Sequence, residues 1–403
     1  MMTEFYAAQA PDKQQEYLNY LYKLGALSRL FSDSDIPYLY YRVHENLFCK
    51  VFGAKNLSRG DISYDAKIDK IGIGLKTFLH SNGSTLQKIA EFDSEGHVIR
   101  TIQKEGTSLD VVKQVANLRN KRLEFAQDST NCSEQLYHLI TRSNGKMMVF
   151  EYDMSYVNID KIEIKEEKNN SIHFTDGYQN YSFSLSKSTL YERFNLNIPL
   201  ATAEINIVED PFELVKTISL PEIVENAEAN AKTTKEVDYI YLPLYSIRDG
   251  SVPEKSQLNQ WNAEGRPRDP DEVYIHIPSM IHKLCAGFFP YKYDSETKGS
   301  AKDSPKFKVN LPDGKMLECK VAQAGGKALM SDPNKDLGKW ILRQVLRLPY
   351  GKLLTKDYLD EIGIDSVRIS KISDNEYSLD FAKSNSFEEF IAKKTKEMAL
   401  HKP

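Results

Sequence analysis

Apolar positions recur at helical spacing at the start of the chain, with Leu18, Leu21, Leu24, Leu27 and Phe31 on one face. A second helical pattern runs from Pro37 to about Phe52, with Val43, Leu47 and Val51 aligned. Alternation then predicts two strands, Ile62 to Asp69 and Ile71 to Leu79, joined by a tight polar link. Leu86 to Phe92 reads as a short helix. A longer helix starts at Ser108, a good N-cap, and carries Val111, Val112, Val115, Leu118 and Leu123. From Lys146 the pattern turns to strands (MMVFEYDMSYV, KIEIKEE, SIHFTDG, YSFSLS) parted by Asn, Gly and Asp turns. The acidic stretch Pro221 to Glu236 reads as a helix or linker, followed by a strand at Tyr239 to Ser246. Short strands, a helix at Asp336 to Leu346, a final strand pair and a charged helix complete the pattern, with no internal repeat.

A length of 403 residues implies two domains. The change of pattern places a first domain at 1–236, a linker at 237–252 and a second domain at 253–403. Hydrophobic residues at 41% and charged residues at 27% fit a soluble globular protein. Met1 opens no secretory signal pattern and no apolar run is long enough for a membrane helix, so a cytoplasmic location is expected. Cys49, Cys132, Cys285 and Cys319 form no CxxC pair. The net charge of -4 argues against non-specific coating of nucleic acid by a basic tail, but leaves room for a local basic surface.

Three strings dominate the C-terminal half: LPLYSIRDGSVPEKSQLNQWNAEGRPRDPDEVYIHIP, GKALMSDPNKDLGKWILRQVL and IDSVRISKISDNEYSLDFA. They resemble the specificity domain of NgoFVII-type restriction endonucleases across most of Gly250 to Ala382. The resemblance implies a B-three-like DNA-binding pseudobarrel that reads duplex DNA with two arms. The first arm is the turn-rich loop Asn259 to Asp271, where Gln260, Asn262, Arg266 and Arg268 lie beside Trp261. Amides and guanidinium forks read adenine and guanine edges, at about 1–3 kcal/mol for each good bidentate pair. By resemblance the second arm is Gln323 to Lys335, with Gln323, Lys327, Ser331, Asn334 and Lys335. A basic stretch, Lys283, Lys292, Lys298, Lys302, Lys306 and Lys308, adds phosphate-seeking charge. Lys187, Ser188 and Thr189 read as a helix cap or surface loop.

In the N-terminal half, YDAKIDKIGIGLKTF places Asp65 on one strand and Lys76 on the next. This resembles the PD-(D/E)xK nucleases, in which carboxylates hold a hard divalent cation and a lysine stands near the attacking water. It departs from that pattern at Gly74, where a second acid belongs. The resemblance implies that the second acid has moved to the helix after the strand, which selects Glu91 as a metal ligand with Asp65. Gln87, one helical turn earlier on the same face, would orient it or the water, and Glu45 of the earlier helix is a further candidate. Asp61 is the rival to Asp65. Neither His80 nor His282 starts an HxK pair, and phosphate-loop, GxSxG and HExxH motifs are absent from the sequence.

The expectation is therefore an α+β, or α/β, multidomain chain: a PD-(D/E)xK-like nuclease domain with a mixed sheet, then the B-three-like reader. Its expected activity is that of a type II restriction endonuclease, a magnesium-dependent hydrolase acting as a homodimer on double-stranded DNA. Within such a restriction-modification pair, a cognate DNA methyltransferase is the genetic partner. The alternatives are a non-catalytic DNA-binding protein, or a nuclease that needs an ATP-driven subunit or modified DNA.

Overall fold

The computed structural model describes residues 5–58, 61–92, 96–218, 238–265, 268–291 and 304–400. The chain divides into two compact units. The first comprises Met1–Ser58, Ser63–Leu123 and Cys132–Glu225, the second Arg59–Ile62, Glu124–Asn131 and Asn226–Pro403.

The first unit opens with helices α1 (Pro11–Ala26) and α2 (Tyr41–Phe52). Strands β1 (Lys55–Asn56), β2 (Ala66–Ile68), β3 (Ile71–Leu79) and β4 (Ser84–Glu91) follow, then helices α3 (Gly96–Glu105) and α4 (Ser108–Thr130). Strands β5 (Glu134–Ser143), β6 (Lys146–Asp153), β7 (Glu163–Lys168), β8 (Ser171–Thr175), β9 (Asn180–Ser184), β10 (Thr189–Asn195) and β11 (Ala201–Glu204) lead to the short helix α5 (Pro211–Lys216). Six strands form a mixed sheet in the order β1-β2-β3-β5-β6-β11, with β3 and β5 parallel. A second, antiparallel sheet runs β4-β10-β9-β8-β7.

The period-two rule explains the layering. On β3, Ile73 and Leu75 join Leu21, Phe48 and Phe52 in the core beneath α1 and α2. Gly72, Gly74 and Lys76 face the other way. The second sheet packs its apolar face on α3 and α4 through Phe92, Val112, Val115, Phe183 and Leu190.

A buried polar chain pins α2 to the mixed sheet. The Tyr17 hydroxyl lies 3.0 Å from His44 Nε2 and 3.1 Å from His138 Nε2. His138 Nδ1 is 3.2 Å from the Glu151 carboxylate, which also accepts the Tyr6 N–H at 2.9 Å. Burial, and then His138, hold the His44 imidazole well below its ordinary pKa. This chain fixes the register of the helix that carries Glu45.

The second unit contains β12 (Tyr239–Pro243), β13 (Ile275–His276), helix α6 (Ser279–Leu284), β14 (Phe307–Asn310), β15 (Met316–Ala322) and β16 (Ala328–Ser331). Helix α7 (Asp336–Gly338) continues as a wider turn over Lys339–Val345. Helix α8 (Lys356–Glu361), strands β17 (Ile364–Ser373) and β18 (Glu376–Lys383), and helix α9 (Ser386–Leu400) complete it. Its seven strands run β12-β17-β18-β14-β15-β16-β13. The end strands β12 and β13 approach each other, so the sheet curls into a nearly closed barrel. Ile240, Leu242, Val309, Val321, Ile369 and Phe381 fill it.

The structure corrects several expectations. Leu86 to Phe92 is not helical: Ser84–Glu91 is a strand because it pairs along its length with β10. The first expected strand is shorter, Ala66–Ile68. The segment given to a linker, 237–252, contains β12, which pairs with β17 and so belongs to the barrel. The stretch Pro221 to Glu236 lies outside the described residues, as do Lys292, Lys298 and Lys302. Among the described residues no helix is long and apolar enough to cross a membrane.

Candidate functional site

Two places gather functional side chains, one in each unit. In the first, Asp65 sits where the chain enters β2. Its Oδ2 accepts the Leu75 N–H at 2.7 Å, which ties the carboxylate to β3 one residue from Lys76. Glu45, nearly buried on α2, is paired at 2.8 Å with Arg42, which also reaches Ser58 Oγ at 2.5 Å. Burial raises the Asp65 carboxyl, against the lowering effects of the Leu75 hydrogen bond, Lys76 and Arg42. Burial and then the neighbouring Asp65 raise Glu45. Burial lowers the Lys76 ammonium, and Asp65 is the largest of the influences that restore it. Glu45, Asp65 and Lys76 therefore share one electrostatic neighbourhood.

Lys76 Nζ donates to the Lys88 carbonyl on β4 at 2.8 Å and lies 5.5 Å from the centre of the Tyr137 ring. The other expected residues fall elsewhere. Glu91 ends strand β4, half-exposed, with its carboxylate on Lys88 at 2.7 Å. A strand cannot place Gln87 and Glu91 one helical turn apart, so the expected coupling between them is lost. Gln87 instead faces Glu192 across β4 and β10 and bonds Thr85 at 3.1 Å. Asp61 belongs to the second unit, where its carboxylate accepts the Lys383 N–H at 3.0 Å.

The missing acid at Gly74 has a steric cause. A Cβ there would lie 2.5 Å from Met154 Cε and 2.8 Å from the Tyr137 ring. Tyr137 is held in turn by a 2.9 Å hydrogen bond from the buried Arg119. Gly74→Asp, which completes the motif on paper, is therefore expected to destabilise the first unit by about 3 kcal/mol or more through overpacking and a buried carboxylate. Urea unfolding measures this; a variant as stable as wild type contradicts the packing account.

Magnesium takes oxygen ligands and is commonly held by one or two carboxylates, completing its shell with water and substrate phosphate. Asp65 and Glu45 fit that demand: two carboxylates, both lifted by burial, with Asp65 also repelling Glu45. Among the described residues no group of three His, Cys, Asp or Glu side chains gathers as a metal cage.

In the second unit the two arms lie side by side. Lys335 Nζ of the second is 2.7 Å from Asp269 of the first, and the Gln323 and Gln260 amides are 3.5 Å apart. The first arm is anchored at both ends. Asn259 exchanges hydrogen bonds with the Leu354 backbone at 2.9 and 3.0 Å. Asp271, buried, receives Arg343 Nε at 2.7 Å and the Tyr350 hydroxyl at 3.2 Å. Gly338 packs so closely that a Cβ would lie 2.0 Å from the Asp271 carbonyl oxygen. Gln323 holds φ 64 and ψ 161, a conformation normally left to glycine and retained where surroundings enforce it.

Anchoring removes some expected readers from the surface. Gln260 is buried, and Ser331 is buried with its Oγ accepting the Leu337 N–H at 2.9 Å. Trp261 packs against the barrel core, and Arg268 pairs with Glu272 at 3.1 Å. Asn262, Lys327 and Asn334 are exposed, and Lys335 is half-exposed. Arg266 lies outside the described residues.

Sequence reasoning passed over Arg42, Arg119, Glu192, Asp271 and Arg343. These residues sit in no recognisable motif; Arg42 meets Glu45 one turn away on α2, while the other four are brought to their sites by tertiary pairing.

Residues 231–373 match the NgoFVII C-terminal B3-like DNA-binding domain. No curated protein matches the chain. The family match and the curled seven-stranded sheet agree, and the match supports DNA as a partner of the second unit.

Proposed function

We propose that the chain is a type II restriction endonuclease that cuts double-stranded DNA by magnesium-dependent hydrolysis. Its first unit acts as a PD-(D/E)xK-like catalytic domain and its second reads the sequence. The observation that carries this reading is the group Glu45, Asp65 and Lys76, gathered on a hairpin and its flanking helix in a chain that also carries a restriction-enzyme type of DNA reader.

Asp65 and Glu45 are the residues that would hold the cation. When bound, the ion supplies charge neutralisation at the phosphate and lowers the pKa of water. Lys76 brings a positive charge held in place by the Lys88 carbonyl. Arg42 keeps Glu45 oriented. In the second unit Asn262, Lys327, Asn334 and Lys335 are the accessible polar groups of the two arms, while Gln260 and Gln323 brace one arm against the other. Cutting both strands calls for a homodimer or transient pairing, and host protection calls for a methyltransferase of the same specificity.

The absence of an acid at Gly74 favours a second reading, a DNA-binding protein without catalysis. Digestion of a large genomic DNA separates the two. Reproducible discrete fragments with magnesium, abolished by a chelator, are the expected result. Retarded migration without cutting, on unmodified and methylated DNA and with or without ATP, refutes the nuclease reading.

A further inference from the structure

Glu192 is buried on β10, directly after a register shift at Leu190 and Tyr191. Such bulges re-aim the side chains that follow them. Its cross-strand partner is Gln87, the neighbour of Lys88, whose carbonyl receives the Lys76 ammonium. Arg119 of α4, itself buried, bonds Tyr137 through Nη2, while its Nε and Nη1 have no hydrogen-bond partner among the described residues. The charges of Arg119 and Lys76 are the two that act to keep Glu192 ionised. Lys76 of the other sheet and Arg119 of the covering helix meet at Tyr137, 5.5 Å from its ring centre and 2.9 Å from its hydroxyl, and both charges act on the Glu192 carboxylate.

We propose that Glu192 is a positioning residue for the hydrolytic centre, its buried carboxylate steadying the Lys76 ammonium. This rests on the nuclease reading given above. The role assigned to Glu192 runs through Lys76, whose charge acts on its carboxylate. Burial raises its carboxyl to about 8, with Asp176 and Asp153 adding to the rise and Arg119 and Lys76 opposing it. Tyr137 of β5, Tyr152 of β6 and Tyr181 of β9 are the other titratable groups that feel it. The steadying charge therefore develops on the alkaline side of neutrality.

The test is single-turnover cleavage, with saturating magnesium and protein, from about pH 6 to about pH 9. Wild type is expected to accelerate as Glu192 ionises. Glu192→Gln is expected to match it at the acid end, to lack the rise, and to cut about 10- to 100-fold more slowly at the alkaline end, with unchanged DNA affinity. Glu192→Asp, which restores the carboxylate, is expected to recover the rise at a displaced pH. Where Gln unfolds the protein, the displaced profile of Asp carries the same reading. A Gln profile parallel to wild type, or an Asp profile superposable on it, overturns the proposal. Asp65→Asn run alongside separates the failures: if it cuts normally the nuclease reading falls, and if it is inactive while Glu192→Gln behaves as wild type, only the role of Glu192 falls.

Discussion

Asp65→Asn is expected to lower DNA cleavage by about a thousand-fold or more while DNA binding stays intact. The substitution keeps shape and the Leu75 hydrogen bond but removes the negative charge on which both the cation and Lys76 depend. Lys76→Ala is expected to fall in the same range, since it deletes the ammonium that the Lys88 carbonyl holds and on which the Asp65 charge acts. Glu91→Ala, by contrast, is expected to cut at near the wild-type rate, because its carboxylate is engaged with Lys88 at the half-exposed end of β4. Cleavage rates measured beside a gel-shift affinity decide the matter. Normal cutting by Asp65→Asn, or loss of cutting only in Glu91→Ala, contradicts the site as built.

The second large effect is expected in the barrel. Arg343→Ala leaves the Asp271 carboxylate buried with Tyr350 alone, and also frees the Pro270 and Leu348 carbonyls that the guanidinium binds. Breaking one partner of a buried, hydrogen-bonded pair costs about 3–5 kcal/mol. The loss is expected in the unfolding of the second unit and, because Asp271 anchors the first arm, as weaker specific DNA binding. Denaturant titration reads the first and competition binding the second. A loss under about 1 kcal/mol places Arg343 among ordinary surface pairs.

Much of the scaffold was legible because its pattern is local. The helical stripe of Leu18, Leu21 and Leu24, the alternation from Ile71 to Leu79, and the run from Ser108 each appear where their period places them. The hairpin joining Asp65 to Lys76 was readable for the same reason. Strand β4 was not: Leu86, Ile89 and Ala90 carry helical spacing, and the deciding partner, β10, lies about a hundred residues further on. Glu192 was unreadable for a related reason, since a glutamate in a strand looks solvent-facing until β3 supplies Lys76 and α4 supplies Arg119. In the reader, Gln260 and Ser331 look like base-contacting polar groups in loops. Their burial comes from the anchoring of the arms, which no single stretch of sequence displays.

The most direct test of the account is to soak crystals of the full chain in manganese and record anomalous scattering. The expected result is a peak bounded by carboxylate oxygens of Asp65 and Glu45, absent in Asp65→Asn. Clear density for both side chains with no metal between them, at manganese concentrations that support cleavage, would contradict the proposed hydrolytic centre.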